Sequence, residues 1–374
     1  MEILVFINRL ERLLQRGKFK EAENFAKIFS LDIELVYKAR IKWLMSRLQL
    51  WNKIPLETLD VIFNDLFSLL KEIKDLEFVA ECCLKTVAPK LSKIQQLLEY
   101  AIDRIAVIPT KSENLQRLLD SLGVSLRTLV TFMLVCSGES ATPDKWLIFS
   151  TANPISLCKQ HLSRGEVKEA IIICCRHNRK MKGELTESMA VSLFEILPLS
   201  VTVGDTLKWY ECYVPLLLSI HPQTLLRLTR RIIDKAKRLE LSESDNWPDI
   251  GVIFLTDMIS LLEKLLSLDD SSPKGVALNQ GKYLPDSPIN QLRNMVAKLE
   301  KLYILKHNHS ILVSYDTFAN QYGVKNLEEF VQLTSLLFEI VPVEGISSLI
   351  KDFVEPYCVE HYRDIDYVIS QYII

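Results

Sequence analysis

Residues Leu10 to Arg40 read LERLLQRGKFKEAENFAKIFSLDIELVYKAR, and the fold follows from this stretch. Ile3, Ile7, Leu10 and Leu14 share one face of a helix that the spacing stops near Gly17. A second helix starts at once, with Phe19, Ala22, Ala26 and Phe29 predicted on its inner face. A glycine between two amphipathic helices, with almost no linker, folds them back as an antiparallel pair. Such a pair cannot cover both of its sides, so another pair must stack on it.

The same punctuation recurs along the chain. Asp32 is placed to cap a helix with Ile33, Tyr37, Ile41, Leu44, Leu48 and Trp51 inside. Pro55 suits the first turn of the next helix, whose stripe is Leu59, Ile62, Phe63, Leu66, Leu70 and Ile73. Helices over 77–86 and 90–106 follow, punctuated by Pro89 and Pro109. Leu115–Leu122 and Leu126–Cys136 read as a further pair joined at Gly123. The polar run Ser137 to Pro143 is a first candidate boundary. Beyond it, Leu162-Ser163-Arg164-Gly165-Glu166-Val167-Lys168-Glu169-Ala170 repeats Leu14 to Ala22 as L-x-R-G-x-Φ-K-E-A without gaps, so one architectural unit is used twice. Helices are expected over 188–197, 207–218, 224–241, 250–268, 289–306 and 327–339, the last with Asn326 and Glu329 as a capping pair.

Three parts result: residues 1–268 as the first part of an α-solenoid, 269–288 as a flexible loop rich in Ser, Pro, Gly and Asp, and 289–374 as its continuation. The closing Gln371-Tyr372-Ile373-Ile374 lacks the polar face of a terminal repeat, so the stack is expected to be truncated there. The fold class is all-α, an α-solenoid of stacked antiparallel helix pairs.

Composition agrees. Of 374 residues 48 % are apolar, enough for a large core, and only 11 are glycine, well under the usual share of about 7 %. Few positions can therefore demand positive φ, which argues against hairpin-rich β folds and glycine-lined phosphate loops. The formal net charge of −2 gives no field for nucleic acid or anionic membrane. No apolar run approaches the roughly 18 residues of a membrane span, so no insertion is expected. The N-terminus lacks the features of a signal peptide. Eight cysteines, none in C-x-x-C, sit among Val, Leu, Ile and Ala and read as reduced thiols of an intracellular, cytoplasmic chain.

The search for chemistry returns little. Phosphate-loop, dinucleotide, nucleophile-elbow and zincin motifs are absent from the sequence. His307-x-His309 closes a helix, where residues two apart point to different sides, and reads as a solvated end. Cys174-Cys175 with His177 could pair a thiol with a base, but the apolar run around them favours structural thiols. An enzyme would need a pocket joining His161 or His361 to acidic groups. Asn308-His309-Ser310 is a chance sequon in this compartment. No cofactor is expected. The basic helix from Leu225 to Arg238 carries Arg227, Arg230, Arg231 and Arg238. It reads first as a solvated face and second as a surface for phosphates or an acidic partner; Asp234 interrupts it and no aromatic interleaves for base stacking. A second cluster, Arg176, Arg179, Lys180 and Lys182, precedes Gly183 and complements a helix C-terminus.

Three segments carry a family resemblance. GKFKEAENFAKIFSLDIELVYKAR, then DLEFVAECCLKT and LLEYAIDR, resemble the helical region of the Rod (Rough deal) family of kinetochore-associated proteins. KDFVEPYCVEHYRDIDYVISQYI near the C-terminus is similar to the family's F-V-x-PY segment. The resemblance implies an α-solenoid that follows a β-propeller, a propeller this sequence lacks, so a fragment or short form is expected. It further implies a non-enzymatic scaffold at the outer kinetochore and spindle in mitosis, supporting the spindle checkpoint and dynein recruitment. The implied partners are Zwilch, Zeste-white-ten and the dynein adaptor Spindly. The neuroblastoma-amplified-sequence protein of Golgi-to-ER tethering has a similar EEA helix and LD-x-x-LVY segment, which implies a vesicle-tether scaffold as the alternative.

Overall fold

Gly17 and Gly165 take the left-handed backbone, with φ of +69° and +74°. In the computed structural model, which describes residues 2–88, 90–136, 141–268, 287–321 and 327–373, both glycines close the same turn. The Gly17 N–H donates to the Leu14 carbonyl and the Lys18 N–H reaches back to Leu13, each at 3.0 Å. The second copy repeats this with Gly165 to Leu162 at 2.9 Å and Glu166 to His161 at 3.0 Å. These are the two bonds of a Schellman cap, which satisfy the last carbonyls of one helix while the chain reverses. The alanines that end the nonapeptide, Ala22 and Ala170, are fully buried. The internal repeat is thus a repeat of structure.

No strand occurs among the described residues. The helices divide into two compact units, 1–153 and 154–374. The first holds α1 (Glu2–Gln15), α2 (Phe19–Ile28), α3 (Ile33–Leu48), α4 (Leu56–Glu72), α5 (Leu76–Lys85), α6 (Leu91–Ala106), α7 (Glu113–Val135) and α8 (Pro143–Thr151). Successive helices pack on one another, as α1 on α2, α2 on α3 and α3 on α4, and again as α5, α6 and α7. This is the row of helix pairs that defines an α-solenoid. Its first layer is Leu10, Ala22, Ala26 and Val36, with Leu13, Leu14, Phe25 and Leu31 around it. Asp32 caps α3 as expected, accepting from the Glu34 N–H at 2.9 Å. Asp75 and Ser112 cap α5 and α7 in the same way.

Several expectations change in detail. Phe29 lies past the end of α2, partly exposed, and stacks on Phe6 with ring centroids 4.4 Å apart. Val36 takes the inner position in α3, while Ile33 and Tyr37 are half-buried and Trp51 falls in a separate 3-10 turn. The pair expected about Gly123 is one helix, since α7 runs through it for 23 residues. Gly123 keeps helical φ and has open space around its Cα, so the only cost is about 1 kcal/mol of propensity. Uninterrupted, α7 is long and apolar enough to cross a membrane, contrary to expectation. It packs against α5 and α6 through buried Leu115, Leu122, Leu129 and Phe132, while only 22 % of its most apolar stretch is buried and Val124, Met133 and Leu134 stay exposed.

The second unit holds α9 (Pro154–Ser163), α10 (Val167–Arg176), α11 (Asn178–Glu184), α12 (Glu187–Glu195), α13 (Val203–Ile220), α14 (Leu225–Ser242) and α15 (Asp249–Leu268). After residues 269–286 come α16 (Pro288–His309), α17 (Tyr315–Gln321), α18 (Leu327–Ile340), α19 (Val343–Leu349), α20 (Glu355–Glu360) and α21 (Ile365–Ile373). Trp209, Tyr213, Phe194 and Phe254 form the core, the first two stacked at 4.9 Å. The Tyr213 hydroxyl donates to the Ala190 carbonyl at 2.9 Å, so its buried polar end is satisfied. α15 packs on α16, and Ser287 caps α16. Nearly all of the 269–288 stretch, Pro89, residues 137–140, Asn326 and the apolar end at 372–374 lie outside the described residues or side chains. Between α19 and α20 a π turn spans Ile350–Val354. Pro356 has no N–H for the Asp352 carbonyl, and the Glu355 N–H reaches back five residues to Ile350 instead.

Candidate interaction surface

The basic helix α14 sorts its cations by depth. Arg227, Arg230 and Arg238 are exposed, with exposed Asp234 among them. Arg231 is half-buried and gives its guanidinium to the Leu197 carbonyl. Lys235, only 3 % exposed, donates its ammonium to the carbonyls of Leu199, at 2.6 Å, and Val201. Burial pulls Lys235 below the ordinary lysine range. Lys237, on the exposed side, pairs with Asp316 at 2.8 Å. The structure therefore brings Arg227, Arg230 and Arg238 to one open face and turns Arg231 inward.

The inward cations belong to a recurring device that the sequence pattern did not show. Carbonyls beyond the end of α12 are capped by Arg231 and Lys235, two helices later. At the end of α4, the Leu70 and Ile73 carbonyls accept from Arg104 of α6, the first at 2.8 Å. Beyond α14, the Asp245 and Trp247 carbonyls accept from Lys306 of α16, the first at 2.7 Å. Carbonyls at or just past a helix end lack intrahelical partners, and a cation from a later helix satisfies them; Leu70, in the last turn of α4, also presents that helix's negative dipole end. In each case charge on an amphipathic helix is spent on the fold.

The histidines and cysteines separate in the same manner. His307 faces Asp249 at 3.1 Å, while His309 faces Asp352 at 3.4 Å. The two rings thus serve different carboxylates, as expected for helical neighbours two apart. Asp352 also accepts from the Asn308 amide at 3.3 Å. His161 meets Glu166 at 2.6 Å across the Gly165 turn, a local pair. No group of three or more metal-ligating side chains occurs among the described residues. Burial pushes the Cys82 thiol up to about 11 and the Cys83 thiol to about 12, so neither is an ionised nucleophile. Cys174 is buried, as expected, whereas Cys175 reaches the surface beside Cys212. In the second basic cluster α11 continues through Gly183, and Lys182 falls in its last turn.

The described residues line open surface clefts, two of which are well defined. One, of about 280 Å³, is lined by Gly17, Lys18, Phe19, Arg40, Trp43 and Asp65. The other, of about 550 Å³, is lined by Val343, Ile346, Ile350 and Lys351. Neither lining contains a histidine or cysteine.

Stacked helix pairs with capped ends and an arginine face define a helical-repeat protein of the kind that works through its surfaces. The family model described as "KNTC1 first ARM-repeats domain" matches residues 12–252, and the chain belongs to this family. Human Kinetochore-associated protein 1 is 26 % identical over 372 residues, covering 95 % of this chain and 16 % of the relative. Its mouse counterpart is 26 % identical over 324 residues, covering 84 % and 14 %. Kinetochore-associated protein rod-1 of Caenorhabditis elegans is 23 % identical over 401 residues, covering 98 % and 18 %. The chain thus spans about one-sixth of the length of these curated relatives. The resemblance to Rod read from the Gly17–Arg104 and Lys351–Ile373 segments holds along the chain. The family match also takes in most of the stretch from Asp103 to Pro285, which offered few motifs.

Proposed function

We propose that the chain is a non-enzymatic scaffold segment of an outer-kinetochore complex, supporting the spindle assembly checkpoint and dynein recruitment in mitosis. The family match over residues 12–252, with relatives named as kinetochore-associated, carries this reading. Zeste-white-ten is the proposed partner along the helical stack, with Zwilch and Spindly as further members of the assembly. The exposed arginines 227, 230 and 238 are proposed to meet an acidic partner surface, with Arg231 holding α14 in place through Leu197. An open cationic face contributes through steering and rim contacts, each worth about 0.5 kcal/mol.

The test is capture of tagged chain from mitotic cells. Zeste-white-ten or Zwilch should be recovered with it. The triple variant Arg227→Glu, Arg230→Glu, Arg238→Glu should lower recovery about tenfold, the sum of three such rim contacts, at an unchanged thermal midpoint. Arg231→Ala should instead lower the midpoint. Recovery of neither protein, or recovery with Golgi or ER tethers in interphase, overturns the kinetochore reading. Undiminished recovery by the triple variant overturns the surface assignment alone.

A further inference from the structure

Four of the eight cysteines gather where α9, α10 and α13 pack together. Cys158 and Cys174 are fully buried, and the Cys158 thiol points at the Ala170 carbonyl, 3.6 Å away. Cys212 on α13 is half-buried, with Cys174 of α10 beside it on its inner side. On its outer side the Cys212 sulfur lies 3.2 Å from that of exposed Cys175, at the end of α10. Two thiols on packed helices thus face each other at the surface, with apolar core behind them. A disulfide needs about 2.05 Å between sulfurs. The two sulfurs must therefore close by about 1.2 Å for the bond to form.

We propose that Cys175 and Cys212 are a modification site, a dithiol that a hydroperoxide converts to a disulfide tying α10 to α13. The Cys175 sulfur, the accessible one, attacks a peroxide oxygen. The O–O bond breaks, and the leaving hydroxide takes the Cys175 proton as water, leaving a sulfenic acid. The Cys212 sulfur then attacks that sulfur, the S–O bond breaks, and the departing hydroxide leaves as water with the Cys212 proton. Two thiols and one hydrogen peroxide give one disulfide and two waters, two electrons passing from sulfur to oxygen. The second step needs no encounter, because the resolving thiol is already in contact. It is slow nonetheless, since the Cys174 contact and burial hold the Cys212 thiol far above its ordinary range. The first step is slow at neutral pH, since burial and the Cys212 contact hold the Cys175 thiol up near 11. The pair therefore stays reduced at resting peroxide and closes under sustained oxidant. Closure joins residues 37 apart, a loop long enough to raise stability.

The test uses the whole chain with hydrogen peroxide as the oxidant. After quenching and denaturation, free thiols are tagged with a maleimide and the intact mass is read. Treated protein should carry two fewer tags than the eight of reduced chain, recover all eight with dithiothreitol, and melt higher than before. Digestion should give one cross-linked peptide joining the Cys175 and Cys212 segments. That product should vanish in Cys212→Ser and Cys175→Ser and persist in Cys174→Ser. Because Cys175 is exposed, Cys175→Ser should fold even if Cys212→Ser does not. Eight tags after treatment, a cross-link that survives Cys175→Ser but not Cys174→Ser, or a bond between two chains would each overturn the assignment.

Discussion

One substitution, glycine to alanine, should have opposite effects at two places in the first unit. At Gly17 the backbone has φ of +69°, and an added Cβ meets no heavy atom within 4 Å. Steric contact therefore contributes nothing, and the cost is that of the left-handed conformation, about 1–2 kcal/mol for an L-residue. A less flexible unfolded chain returns part of this, so a net loss of about 1 kcal/mol is expected. At Gly123 space is equally open but the backbone is helical, in mid-α7. Alanine there should add about 1 kcal/mol of stability. Urea unfolding followed by far-UV circular dichroism reads both, since both sites report on the transition of residues 1–153. With a slope of about 2 kcal/mol/M, Gly17→Ala lowers the midpoint by about 0.5 M and Gly123→Ala raises it by as much. A lower midpoint for Gly123→Ala would mean that a turn does sit at Gly123. No loss for Gly17→Ala would mean that the Schellman cap is absent, and with it the basis of the pairing.

Other sites make equally definite demands. An added Cβ at Gly251 would stand 2.6 Å from the Trp247 ring and 3.0 Å from Leu299, so Gly251→Ala should cost about 1–2 kcal/mol despite better helix propensity, read as a lower urea midpoint of the second unit. Lys235→Met keeps the aliphatic stem but removes the donor from the Leu199 and Val201 carbonyls, and should cost about 1–3 kcal/mol in the same assay. The hydrogen bond from Lys38, with that from the Phe78 N–H, holds the Asp75 carboxyl below its ordinary 3.8. Its contribution is complete above pH 3.8 and is lost as pH falls through the lower folded value. Asp75→Asn should therefore be less stable than the parent near neutrality by a few tenths of a kcal/mol to about 1, and equal to it in strong acid.

How far the sequence reveals this structure depends on what kind of signal a residue sends. Gly17 and Gly165 announce their turns because glycine tolerates positive φ, and Asp32 announces a cap because its carboxylate reaches a free N–H. Ser30, Ser310 and Tyr362 also take left-handed φ, yet none has a composition that says so. Their turns are held by backbone bonds such as Leu31 to Ala26 at 2.8 Å. Gly123 erred the other way, since a glycine in mid-helix looks in sequence like a stop. The arginines of α14 showed a shared helical stripe, but not which of them would find carbonyls. Arg104 and Lys306 gave no signal at all, because their acceptors lie 31 to 61 residues away in the chain. The Cys175–Cys212 contact was hidden for the same reason, although adjacent cysteines on a helix must point in different directions.

The cations that reach back two helices also limit how such a chain can change length. Where each pair touches only its neighbours, a pair can be lost or duplicated and the flanks rejoined. Here, deleting the pair that carries Arg104 would strand the Leu70 and Ile73 carbonyls, and copying α12 without α14 would strand those of Leu197, Leu199 and Val201. Viable deletions and duplications should therefore fall outside the tied spans 70–104, 197–235 and 245–306.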